Sequence, residues 1–178
     1  KVTVLEYLDR ILPGVDLEIA RQALKAFKQQ GMEFVLGARA QSTETDEDRV
    51  RLTWTPAKEA EGEEPQTLEG DRILVSIGRR PYTANLGCED VGIELDDRGR
   101  IKVDKDFQTS VEGIFAIGDV IAGAMLAHKA SDEGIALAET LAGEHGHINY
   151  EAIPSIVYTH PEIAGLGKTE ESCKEESI

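Results

Sequence analysis

The stretch GIFAIGDVIAGAMLAHKASDEG, residues 113–134, decides how the rest of the chain is read. It opens with an apolar run of the kind that forms a strand buried on both faces. Gly118-Asp119 ends that run sharply. A loop of small residues follows, and from Met125 to about Ala142 the spacing is helical. A carboxylate therefore stands where a buried strand opens into a helix. In open α/β sheets, ligands lie beyond the carboxyl ends of the strands, where helix N-termini point their amides outward. Placed there, Asp119 can accept hydrogen bonds from the hydroxyls of a polyol or a ribose. The free N–H groups and positive dipole end of the helix would face whatever it positions. That end suits an electron-rich ring that gains negative charge on reduction. The other reading of an isolated Gly-Asp turn is a helix cap.

Outward from this stretch the same grammar recurs. KVTVLE, residues 1–6, reads as a buried parallel strand. Pro13 and Gly14 precede Asp16, which can cap a helix running to about Lys28, with Ile19, Ala23, Leu24 and Phe27 on one face. Gly31 stops it, and MEFVLGARAQ (32–41) reads as the next strand. Residues 41–70 are polar and acidic. The stretches TDED (45–48) and AKEAEGEEPQ (57–66) are turns around a strand at VRLTWTP (50–56), a solvated antiparallel hairpin or meander whose charges face water. ILVSIG (73–78) reads as another buried strand, and RGRIKVD (98–104) and GIFAIGD (113–119) supply two more. Residues 148–167 are strand-like with turns. A last helix starts at Thr169, with Ser172 where a capping box carries Glu or Gln. Strands of the buried type alternating with helices predict an α/β architecture.

Composition narrows the function classes. The chain has 178 residues, with 19 Lys and Arg against 34 Asp and Glu, a formal charge of −15. That balance argues against nucleic acid or an anionic membrane as partner. No apolar run is long enough to span a bilayer. Cys88 and Cys173, the 2 cysteines, are too far apart for a disulfide scaffold or a C-x-x-C pair. His145 and His147 read as exposed loop residues and His160 as a structural residue beside Pro161, so no metal site is expected.

Two further strand ends carry candidate chemistry. Glu6 closes KVTVLE. An acid at the end of a dinucleotide-binding strand hydrogen-bonds a ribose diol and repels a 2′-phosphate, and only Arg10 follows nearby. A charged strand end facing water is the alternative. Gly78 closes ILVSIG, where a missing side chain lets a ligand approach the backbone, or simply allows a turn.

GIFAIGDV followed by MLAHKASDEG resembles the second FAD-binding segment of the pyridine nucleotide-disulfide oxidoreductases. MLAHKA is similar to the dihydrolipoamide dehydrogenase branch of that family. VSIGRRPYTANLG (75–87), GIELDDRGRIKVD (92–104) and PSIVYTHPEIAGLGKTEE (154–171) fit it in the same order. The resemblance implies partial FAD- and NAD(P)-binding Rossmann-like domains followed by the start of an α+β dimerisation domain. It implies two cofactors, FAD and NAD. Asp119, after Gly118, would hold the ribitol chain of FAD, and Met125, Leu126, Ala127 and His128 would line flavin and pyrophosphate with backbone amides. Glu6 would bind the adenosine ribose of NAD, Gly78 would pack against the NAD, and Ala40 would lie near its adenine. Ala124 stands where the family often has proline.

Other family features have no counterpart here: the two G-x-G-x-x-G loops, the C-x-x-x-x-C redox pair and the C-terminal His-Glu acid/base pair. The chain is thus expected to be a central portion, with no catalytic residue of its own and inactive alone. The expected division is an NAD-binding domain at 1–110, the return segment of the FAD-binding domain at 111–149 and the start of the dimerisation domain at 150–178. For the parent the resemblance implies oxidation of dihydrolipoamide with NAD⁺, a homodimer, and a lipoyl-bearing carrier domain of a 2-oxo acid dehydrogenase complex as partner. Neither nucleic acid nor membrane is expected as a partner. The location would be bacterial cytoplasm or mitochondrial matrix. Two rivals remain: another FAD-dependent NAD(P)H disulfide reductase, and a non-catalytic folding or interaction module.

Overall fold

The computed structural model describes residues 1–58 and 64–178, and these fall into two compact units, 1–76 with 154–178 and 77–153. The chain is mixed α/β, as its sequence predicts.

The first unit begins with a β-α-β element. Strand β1 (Val2–Glu6) leads through helix α1 (Leu17–Gln29) to β2 (Met32–Leu36). The two strands pair in parallel from Val2 opposite Met32 to Glu6 opposite Leu36. Such strands cannot be joined by a tight turn, so the helix supplies the crossover. Its inner face buries Ala20, Ala23 and Phe27, and the Phe27 ring stacks on Phe34 of β2 with centroids 6.5 Å apart. Ile19, expected on that face, is exposed. With Ile11 and Ile163, Ala23 and Phe27 make the core of this unit.

Asp16 occupies the N-cap position of α1, but its side chain does not cap it. Instead, its Oδ1 accepts from Glu170 N at 2.7 Å, at the start of helix α4 (Glu170–Glu175). Glu171 Oε1 in turn accepts from Leu17 N at 3.0 Å. The heads of the two helices thus satisfy each other's orphan amides, which no local rule anticipates. Thr169 caps α4 as expected, accepting from Ser172 N at 3.1 Å.

Gly37, at φ +66, turns the chain from β2 into an antiparallel meander of β3 (Ala38–Thr45), β4 (Val50–Pro56) and β5 (Gln66–Gly70). The expected turn at 57–66 lies partly outside the described residues. Arg51 reaches across the ladder to Glu69 at 2.8 Å. A short antiparallel pair, β6 (Ser155–Val157) and β7 (Ile163–Gly165), completes the unit.

The second unit corrects the sequence reading at three places. Residues 73–78, which run into it, form no strand: Leu74 is 90% and Ile77 93% exposed. A strand is a property of a ladder, and no described strand pairs with this apolar run. RGRIKVD and GIFAIGD likewise yield only isolated bridges, Leu95 with Ile101 and Gln108 with Phe115. The chain crosses these stretches in tight turns, one of them built on Asp96, whose carboxylate accepts from Arg98 N and Arg100 N at 2.9 Å. The elements of the unit are the single turn of α2 (Cys88–Val91), a 3-10 turn at Gly118–Val120, helix α3 (Ala127–Leu141) and a 3-10 turn at Tyr150–Ala152. Its core gathers Cys88, Ile101, Phe107, Ala116, Ile121 and Ala136. Among the described residues no helix is long and apolar enough to cross a membrane.

Candidate functional site

In the second unit the fold brings Gly118-Asp119 against the start of α3. Gly118 is buried at φ +75, and a Cβ built on it would lie 3.3 Å from Ala130 Cβ. The position therefore needs glycine twice, for its left-handed backbone and for its approach to the helix. Gly118 N donates to Glu133 Oε2 at 2.7 Å. Its carbonyl accepts from Lys129 Nζ at 3.2 Å and from Ile121 N at 3.3 Å. Asp119, next along, is exposed, and its carboxylate makes no hydrogen bond or ion pair among the described residues. The helix-cap reading of Asp119 is thus not realised.

The head of α3 is open. Leu126 occupies the N-cap without a side-chain hydrogen bond, and the first turn carries no acid. The amides of that turn lie at the positive end of a 15-residue helix, a setting that draws negative charge. Arg79 donates to the carbonyl of Met125, tying the residue after Gly78 to the approach of the helix. Gly78 itself is exposed, at φ +110 with open space where a side chain would stand. Gly118, Asp119 and Met125 to His128 are brought together, with Gly78 linked to them through Arg79.

Beneath this turn lies a network that the sequence reading missed. Lys129 and Glu133, 1% and 0% exposed, pair at 2.8 Å. Tyr150 donates its hydroxyl to Glu133 Oε1 at 3.1 Å. Burial chiefly, and then the Glu133 charge, pushes the Tyr150 phenol up to about 12. A Lys–Glu pair at this helical spacing usually decorates a wet face. The signal against that was the face itself: 129, 133 and 136 lie on one stripe, and Ala136 is core.

In the first unit, Glu6 ends β1 beside Leu36 of β2, at the carboxyl edge of the parallel pair. Its Oε1 accepts from Leu8 N at 2.8 Å, leaving Oε2 for another donor. Ala40 is exposed on β3 opposite Trp54, at a register shift before Ser42. The Arg39 guanidinium lies 5.8 Å from the centre of the Tyr7 ring, so the residues flanking Ala40 and Glu6 meet. Arg10 is committed to the backbone carbonyls of Leu12 and Val15.

These arrangements fit the groups that the sequence suggests. An exposed carboxylate beside the positive end of a helix matches a ligand with hydroxyls and an electron-rich part. A strand-end carboxylate with one oxygen to spare matches a ribose diol.

The chain is similar to known proteins along its length. The family description "Pyridine nucleotide-disulphide oxidoreductase" matches residues 1–134. The chain is 47% identical over 178 residues to dihydrolipoyl dehydrogenase 1, mitochondrial, of Arabidopsis thaliana, covering 100% of this chain and 34% of that protein. It is 48% identical over 176 residues to dihydrolipoyl dehydrogenase 3 of Pseudomonas putida, covering 99% and 37%. The chain thus spans about a third of the length of the curated relatives it matches. Among solved structures, LpdA from Mycobacterium tuberculosis superposes with a TM-score of 0.87 at 31% identity, over 99% of this chain and 37% of that one. The HOCl-induced flavoprotein disulfide reductase RclA from Escherichia coli gives 0.84 at 30%, over 98% and 39%. The family match runs through residues 1–134 of the 178, and the chain belongs to the pyridine nucleotide-disulphide oxidoreductase family.

Proposed function

We propose that the chain is the portion of an NAD-linked dihydrolipoamide dehydrogenase that holds parts of its FAD and its NAD. The observation that carries this reading is the exposed Asp119 carboxylate, set by a buried Gly118 beside the uncapped head of α3. Asp119 accepts hydrogen bonds from the ribitol hydroxyls of FAD. Gly118 gives the turn its close seat, and the backbone amides of Met125, Leu126, Ala127 and His128 donate to flavin and pyrophosphate. FAD, when bound, carries electrons between a dithiol and the nicotinamide. Glu6 accepts from the adenosine ribose of NAD, and its charge disfavours a 2′-phosphate. Arg10 turns its guanidinium donors to the carbonyls of Leu12 and Val15. Gly78 and Ala40 keep the backbone accessible beside the dinucleotide.

In this reading residues 1–110 belong to the NAD domain, 111–149 to the FAD domain and 150–178 to the dimerisation domain. The redox dithiol and the acid/base pair belong to the rest of the parent. That parent is a homodimer serving the lipoyl-bearing carrier of a 2-oxo acid dehydrogenase complex. Its compartment is the mitochondrial matrix or bacterial cytoplasm, in line with the named relatives. A second reading, another flavin-dependent disulfide reductase, draws on the likeness to RclA.

The test uses the full-length protein that carries this segment. It should show flavin absorption and reduce NAD⁺ with dihydrolipoamide, faster than NADP⁺. Asp119→Asn should weaken FAD binding by about tenfold or more, the worth of a hydrogen bond to a charged group. A colourless protein, or an Asp119→Asn variant with undiminished FAD affinity, sinks the proposal. Activity with other disulfides but not with lipoamide selects the second reading.

A further inference from the structure

Among the described residues, Lys129 and Glu133 are the largest fully buried side chains. Removing two charges from water is unfavourable, and an apolar pair of the same volume often stabilises a core as well or better. Stability alone therefore does not explain why charge is kept here. The hydrogen bonds do. Glu133 Oε2 takes the Gly118 N–H at 2.7 Å, and Lys129 Nζ holds the Gly118 carbonyl at 3.2 Å. Their own contact, 2.8 Å, ties the two grips together. Tyr150 donates at 3.1 Å to Glu133 Oε1, the same oxygen that meets Lys129. The aliphatic end of Lys129 also packs on the following loop, where a Cβ at Gly123 would lie 3.0 Å from Cε.

Both ends of one residue are thus held by side chains one helical turn apart on α3. That residue is a glycine, with no side chain of its own to fix it. The next residue is Asp119. We infer that Lys129 and Glu133, steadied by Tyr150, are positioning residues that set the direction of the Asp119 carboxylate and thereby the affinity for FAD. This rests on the reading of Asp119 as an acceptor for ribitol hydroxyls. None of the three touches the ligand in this account; they act through the Gly118 peptide.

The test is a mutant cycle in the full-length protein, with FAD titrated into apoprotein and followed by quenching of flavin fluorescence. The variants are Asp119→Asn, the apolar pair Lys129→Met with Glu133→Leu, and the combination of all three. Thermal unfolding of each apoprotein is measured alongside. The apolar pair preserves volume and strands no charge, so it should fold, yet it should bind FAD about tenfold more weakly. In the Asp119→Asn background it should weaken binding no further. Lys129→Met with Glu133→Gln, neutral but still able to accept from the Gly118 amide, should recover most of the affinity.

Unchanged affinity in the apolar pair overturns the inference, as does a loss that adds fully to that of Asp119→Asn. If Asp119→Asn alone leaves affinity intact, the reading of Asp119 fails and takes the inference with it. If Asp119→Asn weakens binding and the apolar pair does not, only the inference fails. Should the apolar pair not fold, Tyr150→Phe carries the same comparison: about threefold weaker binding in the wild-type background and none in Asp119→Asn.

Discussion

The two units each present a carboxylate at the end of an extended segment, and they hold it in opposite ways. Glu6 steadies itself: its own Oε1 takes the amide two residues on. Asp119 leaves its carboxylate unspent, and its place is set from below by a buried ion pair gripping the residue before it. The first is a local device, cheap to build and cheap to lose. The second depends on a helix, a glycine and charges removed from water, so it ties the candidate site to the stability of its unit.

The largest test of that contrast is to strand one charge. Lys129→Met or Glu133→Leu alone should destabilise residues 77–153 by about 3–5 kcal/mol, read as hydrogen exchange over those peptides. A loss below about 1 kcal/mol would erase the contrast. Next comes Gly118→Ala. The left-handed backbone alone costs about 1–2 kcal/mol, and the 3.3 Å approach to Ala130 Cβ adds to it. Gly37→Ala in the first unit, at φ +66 with open space around it, should show the backbone part only. Equal losses in urea unfolding would mean that the packing of Gly118 contributes nothing.

A smaller effect is expected for Asp16→Ala, which removes the acceptor of Glu170 N. It should lower the stability of the first unit by about 1 kcal/mol and leave exchange in 77–153 unchanged. Alkaline pH offers a gentler probe of the second unit. The Tyr150 phenol lies at about 12 in the fold against an ordinary 10.0. Its contribution is therefore complete below pH 10 and lost as pH rises through about 12. Tyr150→Phe should flatten that part of the stability profile. Smallest of all is Glu6→Gln: the amide oxygen still accepts from Leu8 N, so stability should stay within about 0.5 kcal/mol.

Much of the architecture was legible in the residues. VRLTWTP matches β4 end to end, and α3 begins two residues after its expected start. Both are governed by local pattern. The apolar run at 73–78 was misread because periodicity reports what a segment could bury, whereas a strand also needs a neighbour to pair with. Of the site, the Gly-Asp turn and the helix after it were visible as punctuation. Lys129, Glu133 and Tyr150 were not, because a Lys–Glu pair spaced one helical turn apart looks the same in sequence whether wet or buried. The exchange of helix caps was equally hidden, since its partners lie 154 residues apart.

That exchange of caps has a consequence for the order of assembly on the ribosome. Leu17 N finds its acceptor only when Glu171 has been synthesised, 154 residues later. At typical translation rates this is a wait of about 8 to 30 s. Residues 77–153 form a continuous unit, and the bonds that fix its Gly118 turn, from Glu133, Lys129 and Ile121, lie within its own span. The two helix heads are therefore joined only after the whole stretch between them has been made.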